Sequence, residues 1–204
     1  MGRSGSATKH EAILDAALAV FLEKGYLGTS MDQIAARAGV SKQTVYKHFA
    51  DKNRLFAEIL LATTGEVDRL VRWIVDEFDD PRKLEQTFDR LARHFLGALM
   101  EPHLLRLRRL VIANADRFPE LGRSWYEAGF ERVLTTLADS FGRLADAGRL
   151  KIDDPLVAAN HFVGMLLWIP VNKAMFTGSD KPFTDIELDR LARASARTFL
   201  HAHR

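Results

Sequence analysis

The sequence predicts an all-helical fold, on three observations. Apolar residues recur at helical spacing along nearly every segment, helix-start signals recur along the chain, and the one strand-like stretch, Leu150–Ile152, is too short to matter. Nine helices are expected, grouped as an N-terminal three-helix helix-turn-helix domain over residues 1–54 and a helical domain over 55–204.

The first helix follows a stretch, residues 1–7, read as a flexible tail. Ile13, Ala16, Ala17, Val20 and Phe21 repeat at i, i+3, i+4, i+7 and i+8, so Thr8–Lys24 is amphipathic, and Gly25 stops it. Ser30-Met31-Asp32-Gln33 is a capping box opening the second helix, which ends at Gly39. Ser41 caps the third, to about Phe49. Asp51 caps the fourth, whose stripe Phe56, Ile59, Leu60, Thr63, Val67, Leu70, Val71, Ile74 and Phe78 continues without a breaker. The next three helices start at Pro81, Pro102 and near Pro119, and Pro155 starts the eighth. A proline at the first helical position gives up no hydrogen bond. The helix from Pro119 runs to Ala147 and is closed by Gly148. A second capping box, Thr184-Asp185-Ile186-Glu187, opens the last. Pro170 falls inside the eighth helix, where it removes the bond to the Leu166 carbonyl and predicts a kink.

With 204 residues, 47% apolar and 27% charged, the chain has an ordinary globular balance. It has no cysteine, which excludes disulfides, thiolate zinc sites and cysteine nucleophiles. The opening "MGRSGSATKHE" lacks an apolar run and is not read as a secretory signal. The longest apolar run, around Met165–Pro170, is shorter than a membrane span, so the expectation is a cytoplasmic protein with no membrane partner. Residues 1–54 hold eight basic against five acidic side chains, a surplus of +3, while the remainder carries −1. A basic head on a near-neutral body suits a polyanion partner.

The second and third helices, joined by "AGVS", make a helix-turn-helix, a shape whose second helix enters the DNA major groove. In "VSKQTVYKHFADK", Val45 and Phe49 point one way. Gln43 and Lys47 point the other, with Thr44, Tyr46 and His48 on the flanks. Lysine and glutamine can read base edges, and hydroxyls, histidine and helix N-termini suit phosphates. A solvated face on a helical corner has the same pattern, and helix-turn-helix shapes occur in enzymes as well. Periodicity and turn alone leave these readings open.

The run "ILDAALAVFLEKGYLGTSMDQIAARAGVSKQTVYKHFADKNRLF", Ile13–Phe56, closely resembles the DNA-binding domain of the TetR/AcrR family of bacterial regulators. The features that match are Gly25-Tyr26, Thr29-Ser30, Ile34-Ala35, Ala38-Gly39-Val40-Ser41, Thr44, Tyr46, Phe49 and Lys52. The resemblance implies phosphate contacts by Thr44, Tyr46, His48 and Lys52, with Thr29, Ser30 and Ser41 at helix starts beside the backbone. It implies base reading by Gln43, Lys47 and Lys42. Thr8 and Lys9 could add phosphate contacts from the first helix. From "LRRLVIANADRFPELGRSWYEAGFERVL" onward the chain is similar to the C-terminal domain of the AefR-like branch, which implies a small-molecule pocket and a homodimer interface. The pocket is expected among His94, Phe95, Trp125, Phe130, Phe162, Met165 and Trp168. The interface is expected on the eighth and ninth helices at Leu166, Ile169, Leu191, Ser195 and Phe199. Operator DNA, a second copy and an apolar or amphipathic effector are thus the expected partners, with the fourth helix as a rigid link between head and body.

No cofactor or metal site is expected. G-x-S-x-G, G-x-G-x-x-G, P-loop and H-E-x-x-H motifs are absent, and no histidine has an acid three residues before it. His94, His103 and His161 are read as core or pocket histidines, and Arg106, Arg108 and Arg109 as a solvated or salt-bridged face. With no catalytic dyad, an enzyme is not expected.

Overall fold

The computed structural model describes residues 3–62, 64–79 and 83–204. Among these there is no strand, and the expected nine helices appear as eleven α-helices and one π turn. They are α1 (Arg3–Lys24), α2 (Met31–Ala38), α3 (Lys42–His48), α4 (Lys52–Ala62), α5 (Thr64–Asp79), α6 (Leu84–Leu99), α7 (Pro102–Ile112), α8 (Pro119–Tyr126), a π turn (Glu127–Glu131), α9 (Arg132–Asp146), α10 (Pro155–Thr177) and α11 (Asp185–Ala202).

Two expected helices account for the difference. The one from Asp51 to Phe78 appears as α4 and α5; residue 63, between them, lies outside the described residues, as does the start expected at Pro81. The helix from Pro119 to Ala147 carries a π turn whose wider i→i+5 bonding separates α8 from α9. At the other end, α1 begins at Arg3, so residues 3–7 of the expected flexible tail are helical; residues 1 and 2 lie outside the described residues.

The chain forms two compact units. Residues 1–64 and 107–125 make the first, and 65–106 and 126–204 the second. In the first, α1 packs on α2 and α4, and α2 on α3. Ile13, Phe21, Ile34, Val45, Phe49 and Phe56 centre its core, and Leu107, Leu110 and Val111 of α7 join them. The expected boundary at 54/55 therefore moves, because α4 and residues 107–125 bury their apolar faces in the head. Within α7, Arg108 is buried at 6% exposure, not solvated as expected, and burial lowers its pKa to about 10.

The second unit packs α11 on α6, and α10 on α9 and α11. Its core is organised by four phenylalanines, one from each of these helices: Phe88, Phe141, Phe162 and Phe199. All six pairs among them are in ring contact, with centroids 5.1–5.9 Å apart in stacked, tilted and edge-on arrangements. Phe78 of α5 adds edge contacts at 5.5 Å to Phe88 and 5.9 Å to Phe141. By length and composition alone the 23-residue α10 could cross a membrane, a test that core helices also pass. Its Phe162, Leu166, Leu167 and Ala174 are nonetheless built into this core.

Candidate nucleic-acid interface

Local signals set the reading corner. The Ser30 side chain accepts the Gln33 amide at 3.3 Å, and Gln33 accepts the Ser30 amide at 2.9 Å, closing the capping box that starts α2. Gly39 ends the helix at φ 65°, a left-handed conformation that an L side chain strains to adopt. The Val40 amide then reaches back to the Ala35 carbonyl at 3.1 Å. Ser41 caps α3 by accepting from the Thr44 amide at 3.1 Å, and its hydroxyl lies 2.8 Å from that of Thr44.

On α3, Val45 and Phe49 are buried in the first core while Gln43 and Lys47 are exposed; Tyr46 is 46% exposed, and Thr44 and His48 are half-buried. A seven-residue helix thus buries one thin stripe and presents the opposite face to solvent. Lys42, at its start, pairs with Asp32 of α2 at 2.7 Å. The hydrogen bond to that carboxylate raises the lysine pKa above its ordinary value, and the pair braces α3 against α2. His10 of α1 lies beside the other end of the helix. Its ring stacks on Phe49 at 4.8 Å, stands 5.7 Å from His48, and its Nε2 is 2.7 Å from a Glu58 carboxylate oxygen.

Two expected phosphate contacts have other work. Thr29 is only 3% exposed, and its hydroxyl donates to the Gly25 carbonyl at 2.8 Å, so it holds the α1–α2 corner together. That corner also needs Gly28, where a Cβ would fall 2.5 Å from the Lys24 carbonyl oxygen. Lys52 is half-buried. Its ammonium donates to the carbonyls of Tyr26 at 2.9 Å and Thr29 at 2.7 Å, and lies 4.5 Å from the centre of the Tyr26 ring. Burial, followed by the nearby Arg117, lowers its pKa. Two of its three N–H donors therefore hold the loop that precedes α2. The Tyr26 hydroxyl donates to Asn53, and Phe118 packs edge-on against the Tyr26 ring at 4.8 Å. Ser30 is exposed, at the start of α2.

The seven residues expected to line a pocket are not brought together within either unit. Phe95 and Phe162 are packed into the second core, with Met165 half-buried at its edge. Phe130 stacks on Tyr126 at 5.9 Å. His94 stacks on Trp73 at 4.0 Å; loss of water lowers its pKa, and the Glu77 carboxylate opposes that shift. Trp125 belongs to the first unit and packs at the edge of its core. Trp168, expected to face inward, is 69% exposed. A hollow on the second unit lies between α6 and α11 and is charged, lined by Glu85, Asp89, Arg190, Arg193, Arg197 and Arg204. Among the described residues, no three His, Cys, Asp or Glu gather where they could hold a metal ion.

The expected interface needs a similar correction. Leu166, Ser195 and Phe199 are buried inside the unit, and the Ser195 hydroxyl donates to the Met165 carbonyl at 3.4 Å. Leu191 is half-buried. Only Ile169 is well exposed, at 60%, in the company of Val157, Trp168 and Phe176, which the sequence reading did not select for an interface. All four lie on α10. Because α10 is apolar nearly all round, its sequence carried no signal that separates them from the buried residues.

Comparison with known proteins shows the family of both halves of the chain. Residues 13–59 match the profile of bacterial regulatory proteins of the tetR family, and residues 86–204 match that of the AefR-like transcriptional repressor C-terminal domain. The HTH-type transcriptional repressor SCO4008 of Streptomyces coelicolor is 33% identical over 96% of this chain and 96% of its own length. A crystal structure of a TetR-family transcriptional regulator from Mesorhizobium loti is 48% identical, covers 100% of this chain and 99% of its own, and superposes with a TM-score of 0.90. The flavonoid-responsive regulator FrrA is 30% identical over 97% of this chain and 98% of its own, with a TM-score of 0.73.

Proposed function

Because this chain belongs to the TetR family of transcriptional regulators, with an AefR-like C-terminal domain, we propose that it is a homodimeric repressor released from its operator by a small effector. The observation that carries this reading is the exposed face of α3. Gln43 and Lys47 stand outward over buried Val45 and Phe49, on a helix held by Ser41, Asp32 and Gly39. Gln43 reads bases, Lys47 adds a base or phosphate contact, and Tyr46, Thr44, His48 and Ser30 meet phosphates. Two copies present two such helices one duplex turn apart, about 34–36 Å, to a palindromic operator. A DNA-bound regulator of this kind works in the cytoplasm, and none of its residues is assigned a catalytic role.

The test is selection of bound fragments from genomic DNA by wild type and by Gln43→Ala. Wild type should return a palindromic motif. The variant should lose preference at particular base pairs, by about 1–3 kcal/mol for each bidentate contact removed. Affinity of both should fall steeply with salt as counterions leave the duplex. An unchanged motif from Gln43→Ala would take base reading away from that residue.

The effector is a small apolar or amphipathic molecule. Support comes from similarity to a relative described as flavonoid-responsive. To act as a switch it must prefer the DNA-incompetent state, and a hundredfold preference corresponds to about 2.7 kcal/mol. Linkage then requires operator DNA to weaken effector binding by the same factor. Titrating each ligand found by thermal shift, with and without operator, measures this directly. A ligand bound equally in both titrations is not the inducer.

A further inference from the structure

We propose that the hollow between α6 and α11 is a ligand site in its own right, one that holds a small molecule carrying several phosphate groups on Arg190, Arg197 and Arg204. The inference concerns the second unit alone and goes beyond the reading of α3. Arg190, Arg193 and Arg197 stand at i, i+3 and i+7 along α11, so they share one side of that helix. Arg204 follows the helix end and borders the same hollow. Against these four arginines α6 sets only two carboxylates, Glu85 and Asp89.

The ion pairs at the rim leave the positive charge unbalanced. Glu85 is held by Arg204, Asp89 accepts from Arg93 at 2.7 Å, and Asp189 serves both Arg93 and Arg193. Each carboxylate is thus taken. Among the described residues, Arg190 and Arg197 have no ion pair. Like charges one turn apart on a helix repel, and a bound anion relieves that repulsion. The floor of the hollow is apolar, with Ala196 and Leu200 at 3% and 4% exposure. Its volume, about 680 Å³, falls within the range of small-molecule sites.

The chemistry of the lining selects the ligand. A guanidinium presents a flat fork of N–H donors that matches two oxygens of one phosphate. Arg190 and Arg197 leave the backbone two turns apart, about 10 Å along the helix axis, so a chain of linked phosphates gives each guanidinium its own oxygens. Arg204 joins only by leaving Glu85, so ligand and carboxylate compete for one guanidinium. A hollow with two carboxylates of its own needs a strongly charged ligand, which favours linked phosphates over a simple carboxylic acid.

The experiment titrates inorganic tripolyphosphate calorimetrically into the full chain at fixed salt. Arg190→Gln and Arg197→Gln should each weaken binding about tenfold, the loss expected for one hydrogen-bonded contact between charged groups, and the double variant should abolish it. Glu85→Gln frees Arg204 and should tighten binding severalfold. Asp139→Asn makes the same change of net charge on α9, outside the hollow, and should alter affinity little because salt screens it. All four positions are exposed, and helical circular dichroism confirms that each variant is folded. If the DNA-facing helix also takes the probe, it adds a second binding event that these substitutions leave in place. No binding event in wild type, equal affinity in wild type and the double variant, or equal gains from Glu85→Gln and Asp139→Asn would each overturn the site. None of these results would touch the reading of α3, which is tested on DNA.

Discussion

Phe88→Ala is expected to destabilise the second unit by about 3–5 kcal/mol, a large part of the roughly 5–15 kcal/mol that holds a domain folded. The ring is fully buried and touches Phe78, Phe141, Phe162 and Phe199. Removing it deletes the transfer energy of a benzyl group and leaves a void bounded by five helices, counting the α6 on which Phe88 stands. Such a site collapses poorly, because moving one ring inward pulls it from the others. Urea unfolding followed by helical circular dichroism should show the midpoint falling sharply. Phe88→Leu, which refills most of the space, should recover much of the loss. A change of less than about 1 kcal/mol for Phe88→Ala would mean that the rings touch without sharing the load.

Trp168→Glu is expected to dissociate the proposed dimer while leaving each chain folded. Trp168, Ile169, Val157 and Phe176 are exposed on α10, whose other face fills the second core. Large apolar side chains exposed along one helix suit association with a second copy. A charge at the centre of such a surface prevents close packing between copies, yet the side chain it replaces was in solvent within its own chain. Sedimentation should give monomers, and operator affinity should fall by roughly 10²–10⁴-fold as the second half-site loses its tethered partner. Leu166→Glu makes the contrast: at 0% exposure, it would place an unpaired carboxylate inside the core and unfold the unit. A Trp168→Glu variant that remains dimeric would move the interface off this face.

Local features carried the sequence reading furthest. Ser30 with Gln33, Ser41, and Thr184 with Glu187 each act within about three residues, and all cap the helices expected of them. Gly39 is similar, since its turn is decided by the residue itself. What was not legible depends on partners distant in sequence. The Lys52 ammonium is held by carbonyls 26 and 23 residues away, so nothing near it in the chain shows that it faces inward. Thr29 is the exception, since the bond that holds it inward is local, to the Gly25 carbonyl four residues back. On α10 the pattern itself was uninformative. A helix apolar nearly all round has no preferred side until its neighbours arrive, which is how Leu166 and Trp168 came to be exchanged between core and surface. The π turn between α8 and α9 left no sign of its own in the residues from Glu127 to Glu131.

The four-ring contact of the second unit bears on how the protein is made. Phe199 follows Phe88 by 111 residues, and at about 5–20 residues per second a ribosome needs roughly 6–22 s to travel between them. During that interval α6, α9 and α10 can meet, but the face of Phe88 reserved for Phe199 stays uncovered. The stretch from Ser30 to Phe49 is synthesised in a few seconds, and its unit waits only for residues 107–125, which complete its core. The first unit, which carries α3, can therefore be complete before the second is closed. Slow codons placed after α10 would lengthen the exposure of that apolar face, and synthesis rate thus becomes a determinant of how much of the protein reaches its folded state.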